Sequence, residues 1–94
     1  MKVRRAADAK KLSDIPNIGP AMVRDFAVLG IYQPKDLVGQ DAFGLYTNIC
    51  TIRGTRQDPC VLDTYMAAID FMQGAPARSW WYYTKIRKKK YKTI

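Results

Sequence analysis

The sequence predicts an all-α fold, a compact bundle of about five short helices, and three observations carry that expectation. Apolar residues recur three or four positions apart in successive segments: Met22, Val23, Phe26 and Leu29; then Leu45, Ile49 and Ile52; then Leu62, Tyr65, Ile69 and Met72. Each set is punctuated in the way helices are, opened by Pro20, Asp41 or Asp58-Pro59 and closed by Gly30, Gly54 or Gly74. The chain is 94 residues long and 48% hydrophobic, which suits one domain with a modest core and leaves most of the chain folded.

Taken in order, Met1 to Arg5 is basic and expected to be poorly ordered, and residues 6–14 favour a short helix with Leu12 and Ile15 as its inward contacts. A tight turn at Pro16-Asn17-Ile18-Gly19 follows. Pro20 then opens a helix over residues 20–29, where a missing N–H costs nothing and φ is already set. Gly19 is expected to take the backbone angles of a sharp entry, and Asn17 is the non-glycine type that best tolerates positive φ. Gly30-Ile31 stops the helix with an apolar residue placed to fold back on its last turn. Pro34-Lys35-Asp36-Leu37 reads as one helical turn anchored by Leu37 and Val38 and stopped by Gly39. Asp41 caps a helix over 42–53, weakened at Gly44 by up to about 1 kcal/mol relative to Ala. Asp58 caps and Pro59 opens a longer helix over 59–73. The expected division is a basic N-terminal segment (1–11), a helical domain (12–77), and an aromatic segment with a basic tail (78–94).

The stretch Ile15-Pro16-Asn17-Ile18-Gly19-Pro20, followed by an amphipathic helix ending at Gly30-Ile31, resembles the helix-hairpin-helix motif, with Asn17 in place of that motif's first glycine. The resemblance implies an HhH-type, SAM-like domain. It also implies that the hairpin and first helical turn aim backbone N–H groups at a nucleic-acid phosphate without reading bases. Physical chemistry points the same way, because orphan amides and the positive end of the helix dipole make an anion site. The residues implicated are Asn17, Ile18, Gly19, Ala21 and Met22, with Lys10, Lys11 and Arg24 as nearby cations. Ala21 stands where the motif often carries a basic residue. The resemblance further implies that hairpin carbonyls bind a monovalent cation. The alternative is a helical corner that only packs the core. The connection Gly54-Thr55-Arg56-Gln57-Asp58-Pro59 reads as a degenerate second hairpin, keeping one expected glycine.

Charge is concentrated at the ends of this +8 chain. Residues 1–13 carry Lys2, Arg4, Arg5, Lys10 and Lys11 against Asp8; residues 78–94 carry Arg78, Lys85, Arg87, Lys88, Lys89, Lys90 and Lys92 with no acid. A basic protein of this size implies a polyanionic partner, with the run Lys85, Arg87, Lys88, Lys89, Lys90 and Lys92 acting as a flexible electrostatic tail. Before it, Trp80, Trp81, Tyr82 and Tyr83 cannot all share one face of a regular element. They form either a lid over the core or an exposed platform for bases or a protein.

The chain has no His and no Glu, and its two cysteines, Cys50 and Cys60, are too few for a disulfide framework or a four-ligand zinc site. They are expected to be buried structural thiols. No catalytic constellation is present, so neither an enzymatic role nor a cofactor is expected. No apolar run approaches the length of a membrane span and the N-terminus lacks a signal-peptide core, so a cytoplasmic protein is expected. Peripheral attachment to anionic membrane through the aromatics and Lys85–Lys92 is a weaker reading.

Across residues 12–82 the chain is similar to the small bacterial pathogenicity-locus family, whose members are often labelled mitomycin resistance proteins. The residues that carry this are Asp36-Leu-Val-Gly-Gln-Asp41, Leu45-Tyr-Thr-Asn-Ile-Cys50, Gln57-Asp-Pro-Cys-Val-Leu-Asp63 and Trp80-Trp81. The resemblance implies a DNA-associated module without assigned chemistry, and mitomycin's crosslinking of DNA fits a protective role. The resulting expectation is a non-enzymatic module that binds duplex DNA through its phosphates without sequence specificity. The competing expectation is a protein-interaction adaptor with the Trp/Tyr cluster as its partner surface.

Overall fold

The structure, a computed structural model, describes residues 2–92 and 94. Met1 and Thr93, which belong to the expected end segments 1–11 and 78–94, lie outside the described residues. Four α-helices form among these residues, with no strand: α1 (Pro20–Val28), α2 (Ala42–Arg53), α3 (Pro59–Met72) and α4 (Thr84–Lys90). Single 3₁₀ turns occur at Ala6–Asp8, Leu12–Asp14, Pro34–Leu37 and Trp80–Tyr83. The radius of gyration is 12.3 Å, against about 12.4 Å expected for one compact domain of this length.

The axis of the fold is α3. Leu62, Tyr65, Ala68, Ile69 and Phe71 are buried, but so are Asp63, Thr64 and Ala67, so burial wraps almost the whole helix. A helix buried on all sides must be covered by other elements. Here α2, α4 and the turns at Ala6–Asp8, Pro34–Leu37 and Trp80–Tyr83 supply the cover. The shared core adds Leu12, Ile15, Ile18, Phe26, Ile31, Leu37, Leu45, Tyr46 and Ile49. Phe26 of α1 meets Tyr65 of α3 with ring centroids 5.1 Å apart, and Arg53 of α2 reaches Asp25 of α1 at 2.8 Å.

The three longer helices end the same way. Ile31 N–H donates to Phe26 O (2.8 Å), Thr55 N–H to Cys50 O (3.2 Å), and Ala75 N–H to Asp70 O (3.0 Å). Gly30, Gly54 and Gly74 lie between at positive φ, which makes each a Schellman closure. Their starts differ. Asp41 Oδ2 accepts from Gly44 N–H at 3.1 Å and Asp58 Oδ1 from Cys60 N–H at 2.8 Å, while α1 begins at Gly19 with no side-chain cap. Gly44 is close-packed at the start of α2, since a Cβ there would meet Asp41 Oδ2 at 3.2 Å.

Four expectations are corrected. Residues 6–14 do not form one short helix, because the Asp14 carboxylate takes the amides of Lys10 (3.0 Å) and Lys11 (3.1 Å) that a continuing helix would have used internally. The described part of the N-terminal segment is tied down, since Val3 N–H donates to Asp14 O at 2.9 Å and Val3 packs against the core. Gly19 is extended (φ −103°, ψ −176°), and Asn17 alone takes the left-handed turn at φ 73°. Residues 84–90 are not a free tail but α4, with Arg87 buried against Asp63.

Candidate nucleic-acid interface

The corner between the Leu12–Asp14 turn and α1 is fixed from below. Ile15 and Ile18 are fully buried and anchor it to the core. Ile18 N–H donates to Ile15 O at 3.2 Å, and Val23 N–H to Gly19 O at 3.0 Å. The amide of Ile18 is therefore occupied, and Ile18 is corrected from phosphate donor to core anchor. The amides of Gly19, Ala21 and Met22 form no hydrogen bond with any described residue. Pro20, between them, has no N–H to give. These positions are the N-cap, N2 and N3 of α1, where Ser, Thr, Asp or Asn normally folds a side-chain oxygen back over the bare donors. Glycine cannot, so the donors stay open.

Gly19 has no conformational reason to be glycine, because its φ is accessible to any residue. It has no packing reason either, since a Cβ at this position would meet nothing within 4 Å. What its missing side chain leaves is clear space before three unpaired amides and the positive end of a nine-residue helix.

A cation is already built into this corner. The Lys2 ammonium donates to Ser13 O at 2.7 Å and also to Ile18 O. One carbonyl of the hairpin, that of Ile18, thus carries a lysine of the same chain. Partial burial of the ammonium lowers its pKa, partly offset by the nearby Asp14 carboxylate. In the sequence Lys2 reads only as part of a basic segment, because it lies 11 and 16 residues from its two acceptors. Lys10, Lys11 and Arg24 are exposed, so their charges are available to a ligand.

The side chain of Asn17 is a clamp on the aromatic segment. Its Nδ2 donates to Arg78 O at 2.7 Å, and its Oδ1 accepts from Trp80 N–H at 3.3 Å. Both functions of the side-chain amide are thereby spent on the aromatic segment. Within that segment Tyr83 is buried and corrected from surface to core; its hydroxyl accepts from Arg78 Nη1 at 3.3 Å. Tyr82 has the Arg78 guanidinium 4.5 Å from its ring centroid and forms a T-shaped pair with Tyr83. Trp80 and Trp81 are 39% and 66% exposed, and neither stacks on another ring among the described residues.

Beyond them, Lys85, Lys88, Lys89, Lys90 and Lys92 are exposed. Arg87 leaves this set, because its Nε lies 2.7 Å from Asp63 Oδ1 in a pair whose side chains are 8% and 1% exposed. The Lys90 ammonium lies 5.5 Å from the Tyr91 ring, which stacks on Phe43 of α2. Cys50 and Cys60 are free thiols. Burial and the neighbouring Asp58 push the Cys60 thiol up to about 11, which disfavours the reactive thiolate near neutral pH. No helix among the described residues is long and apolar enough to cross a membrane.

These features define a small all-α protein in which α1, alone of the three longer helices, starts without a side-chain cap, near the turn that carries an exposed indole pair; its last helix is rich in lysine. The chain belongs to the Cdd1 pathogenicity-locus family, whose profile matches residues 5–89. Mitomycin resistance protein McrB of Streptomyces lavendulae is 39% identical over 84 residues, spanning 89% of this chain and 80% of that protein. No solved structure matches the chain.

Proposed function

We propose that this protein is a non-enzymatic DNA-binding module whose corner acts as a helix-hairpin-helix element, holding a duplex phosphate without reading sequence. The observation that carries the reading is the bare start of α1, where Gly19 leaves the amides of Gly19, Ala21 and Met22 open with nothing within 4 Å of a Cβ. Three further facts support it. The starts of α2 and α3 are closed by their own aspartates, so those ends have no comparable vacancy for an anion. The Lys2 ammonium adds positive charge to the corner at the Ile18 carbonyl. The net charge of +8 supplies long-range attraction to a polyanion. A relative named for resistance to mitomycin fits a module that works at DNA.

Fluorescence anisotropy of the full chain with a labelled duplex across a salt series tests this. Affinity is expected to fall with salt, with log K dropping about 0.9 per phosphate neutralised for each unit of log salt. Gly19→Glu is accommodated by the backbone and the open space, and should weaken binding by placing a carboxylate before the amides. A salt-independent affinity, or equal affinity for Gly19→Glu, would refute the proposal.

A further inference from the structure

We infer that Trp80 and Trp81 form a stacking step for an unpaired base beside the phosphate corner, so that the preferred ligand is duplex DNA interrupted by a gap or overhang. This rests on the DNA-binding reading above and specifies its substrate. The first ground is placement. Asn17 binds Arg78 O and Trp80 N–H with its side chain, and Gly19 lies two residues further on. Two Cα–Cα steps span at most about 7.6 Å, so the indole-bearing turn adjoins the open amides.

The second ground is which aromatics remain available. Tyr83 is buried, and Tyr82 is covered by the Arg78 guanidinium and engaged in a T-shaped pair with Tyr83. Trp80 and Trp81 alone of the four keep large exposed surface without a ring partner among the described residues. The third is charge. Residues 78–94 contain no acid, and five exposed lysines follow the indoles: Lys85, Lys88, Lys89, Lys90 and Lys92. An apolar protein partner would gain nothing from such a frame. A polyanion bearing planar bases matches both the charge and the rings. Bases within an intact duplex are stacked on one another, whereas a gap or overhang offers a free face.

Asn17 is then a positioning residue. Its left-handed backbone serves the corner, and its side chain locks the indole turn to that corner. Asn17→Gly keeps the backbone freedom, since glycine adopts φ 73° without strain, but removes both hydrogen bonds.

The test uses the full chain with three ligands at one salt concentration: an intact duplex, the same duplex with a one-nucleotide gap, and the same duplex with a short 3′ overhang. Because the sequence has only two tryptophans, selective Trp emission reads this site alone. The wild type is expected to bind the interrupted ligands about 5- to 100-fold tighter than the intact duplex, with Trp quenching confined to them. Trp81→Ala, at an exposed position, and Asn17→Gly should each bring that ratio towards one, with thermal melts confirming the fold. Binding of intact duplex with an unchanged ratio in Trp81→Ala, or without selective quenching in the wild type, overturns the stacking step and leaves the phosphate site standing. Failure to bind any DNA overturns both. Trp emission that responds to self-association or to anionic vesicles, but not to DNA, also overturns the inference by assigning the indoles to a protein or a lipid surface.

Discussion

Arg87 lies within a run of lysines, yet the structure makes it a core residue, and its removal should be costly. Its Nε donates to Asp63 Oδ1 at 2.7 Å while Thr84 Oγ1 donates to Asp63 Oδ2 at 2.8 Å. Arg87 Nη1 also donates to Ile94 O at 3.2 Å. Arg87→Ala leaves a carboxylate that is 1% exposed with one hydroxyl as its partner. Breaking such a pair from one side costs about 3–5 kcal/mol, because the remaining charge stays buried. A domain of this length is stable by about 5–14 kcal/mol, so about a fifth or more of the total is at stake. At about 4–8 °C per kcal/mol, the melting temperature should drop by at least about 12 °C. Circular dichroism melts and urea titrations of the full chain would measure this, with Lys88→Ala as the exposed control expected within about 0.5 kcal/mol of wild type. The double variant Arg87→Met with Asp63→Leu should recover much of the loss, since an apolar pair of similar volume often replaces a buried ion pair without penalty. If Arg87→Ala melts alongside Lys88→Ala, α4 is not part of the folded unit.

Gly19→Asp should cap α1, raising stability by a few tenths to about 1 kcal/mol while weakening duplex affinity; paired melts and anisotropy would expose that opposition, and a gain in both would contradict it. Tyr65 is fully buried, and its hydroxyl has no hydrogen-bond partner among the described residues, so Tyr65→Phe should raise stability by about 1 kcal/mol in urea titrations; a loss of that size would show the hydroxyl to be satisfied. Asp58 has its pKa lowered, first by the backbone hydrogen bond from Cys60. Its contribution is therefore complete above the unfolded carboxylate pKa of about 4 and lost as pH falls through the lower folded value. Melts between pH 5 and pH 2 (a range of about three units around that value) should show a shallower acid decline for Asp58→Asn than for wild type.

Much of this was legible because helix punctuation is local. Asp41, Asp58, Pro20 and Pro59 begin their helices as expected, and Gly30, Gly54 and Gly74 follow their ends. The family resemblance was legible for another reason: it lies in contiguous residues such as Gln57 to Asp63, within the matched span 5–89. What escaped depended on distant pairing. Lys88 and Arg87 look alike in a basic run, and only the position of Asp63 on α3 separates them. One signal was present, an aspartate at 63 between Leu62 and Thr64 in an apolar helix, where a carboxylate needs a buried partner. Asn17 read as a missing glycine because its backbone demand is local, while its partners Arg78 and Trp80 lie more than sixty residues away. The 6–14 segment failed for a local reason, since Asp14 competes for amides that propensity alone assigns to a helix.

The most direct measurement is a titration of ¹⁵N-labelled full-length protein with an unlabelled intact duplex, followed by amide chemical shifts. The largest early changes should fall on the N–H groups of Gly19, Ala21 and Met22, with Ile18 moving less because its amide already donates to Ile15. Shifts confined to Lys85–Lys92, with the start of α1 unmoved at saturation, would contradict the account and leave the corner as scaffold.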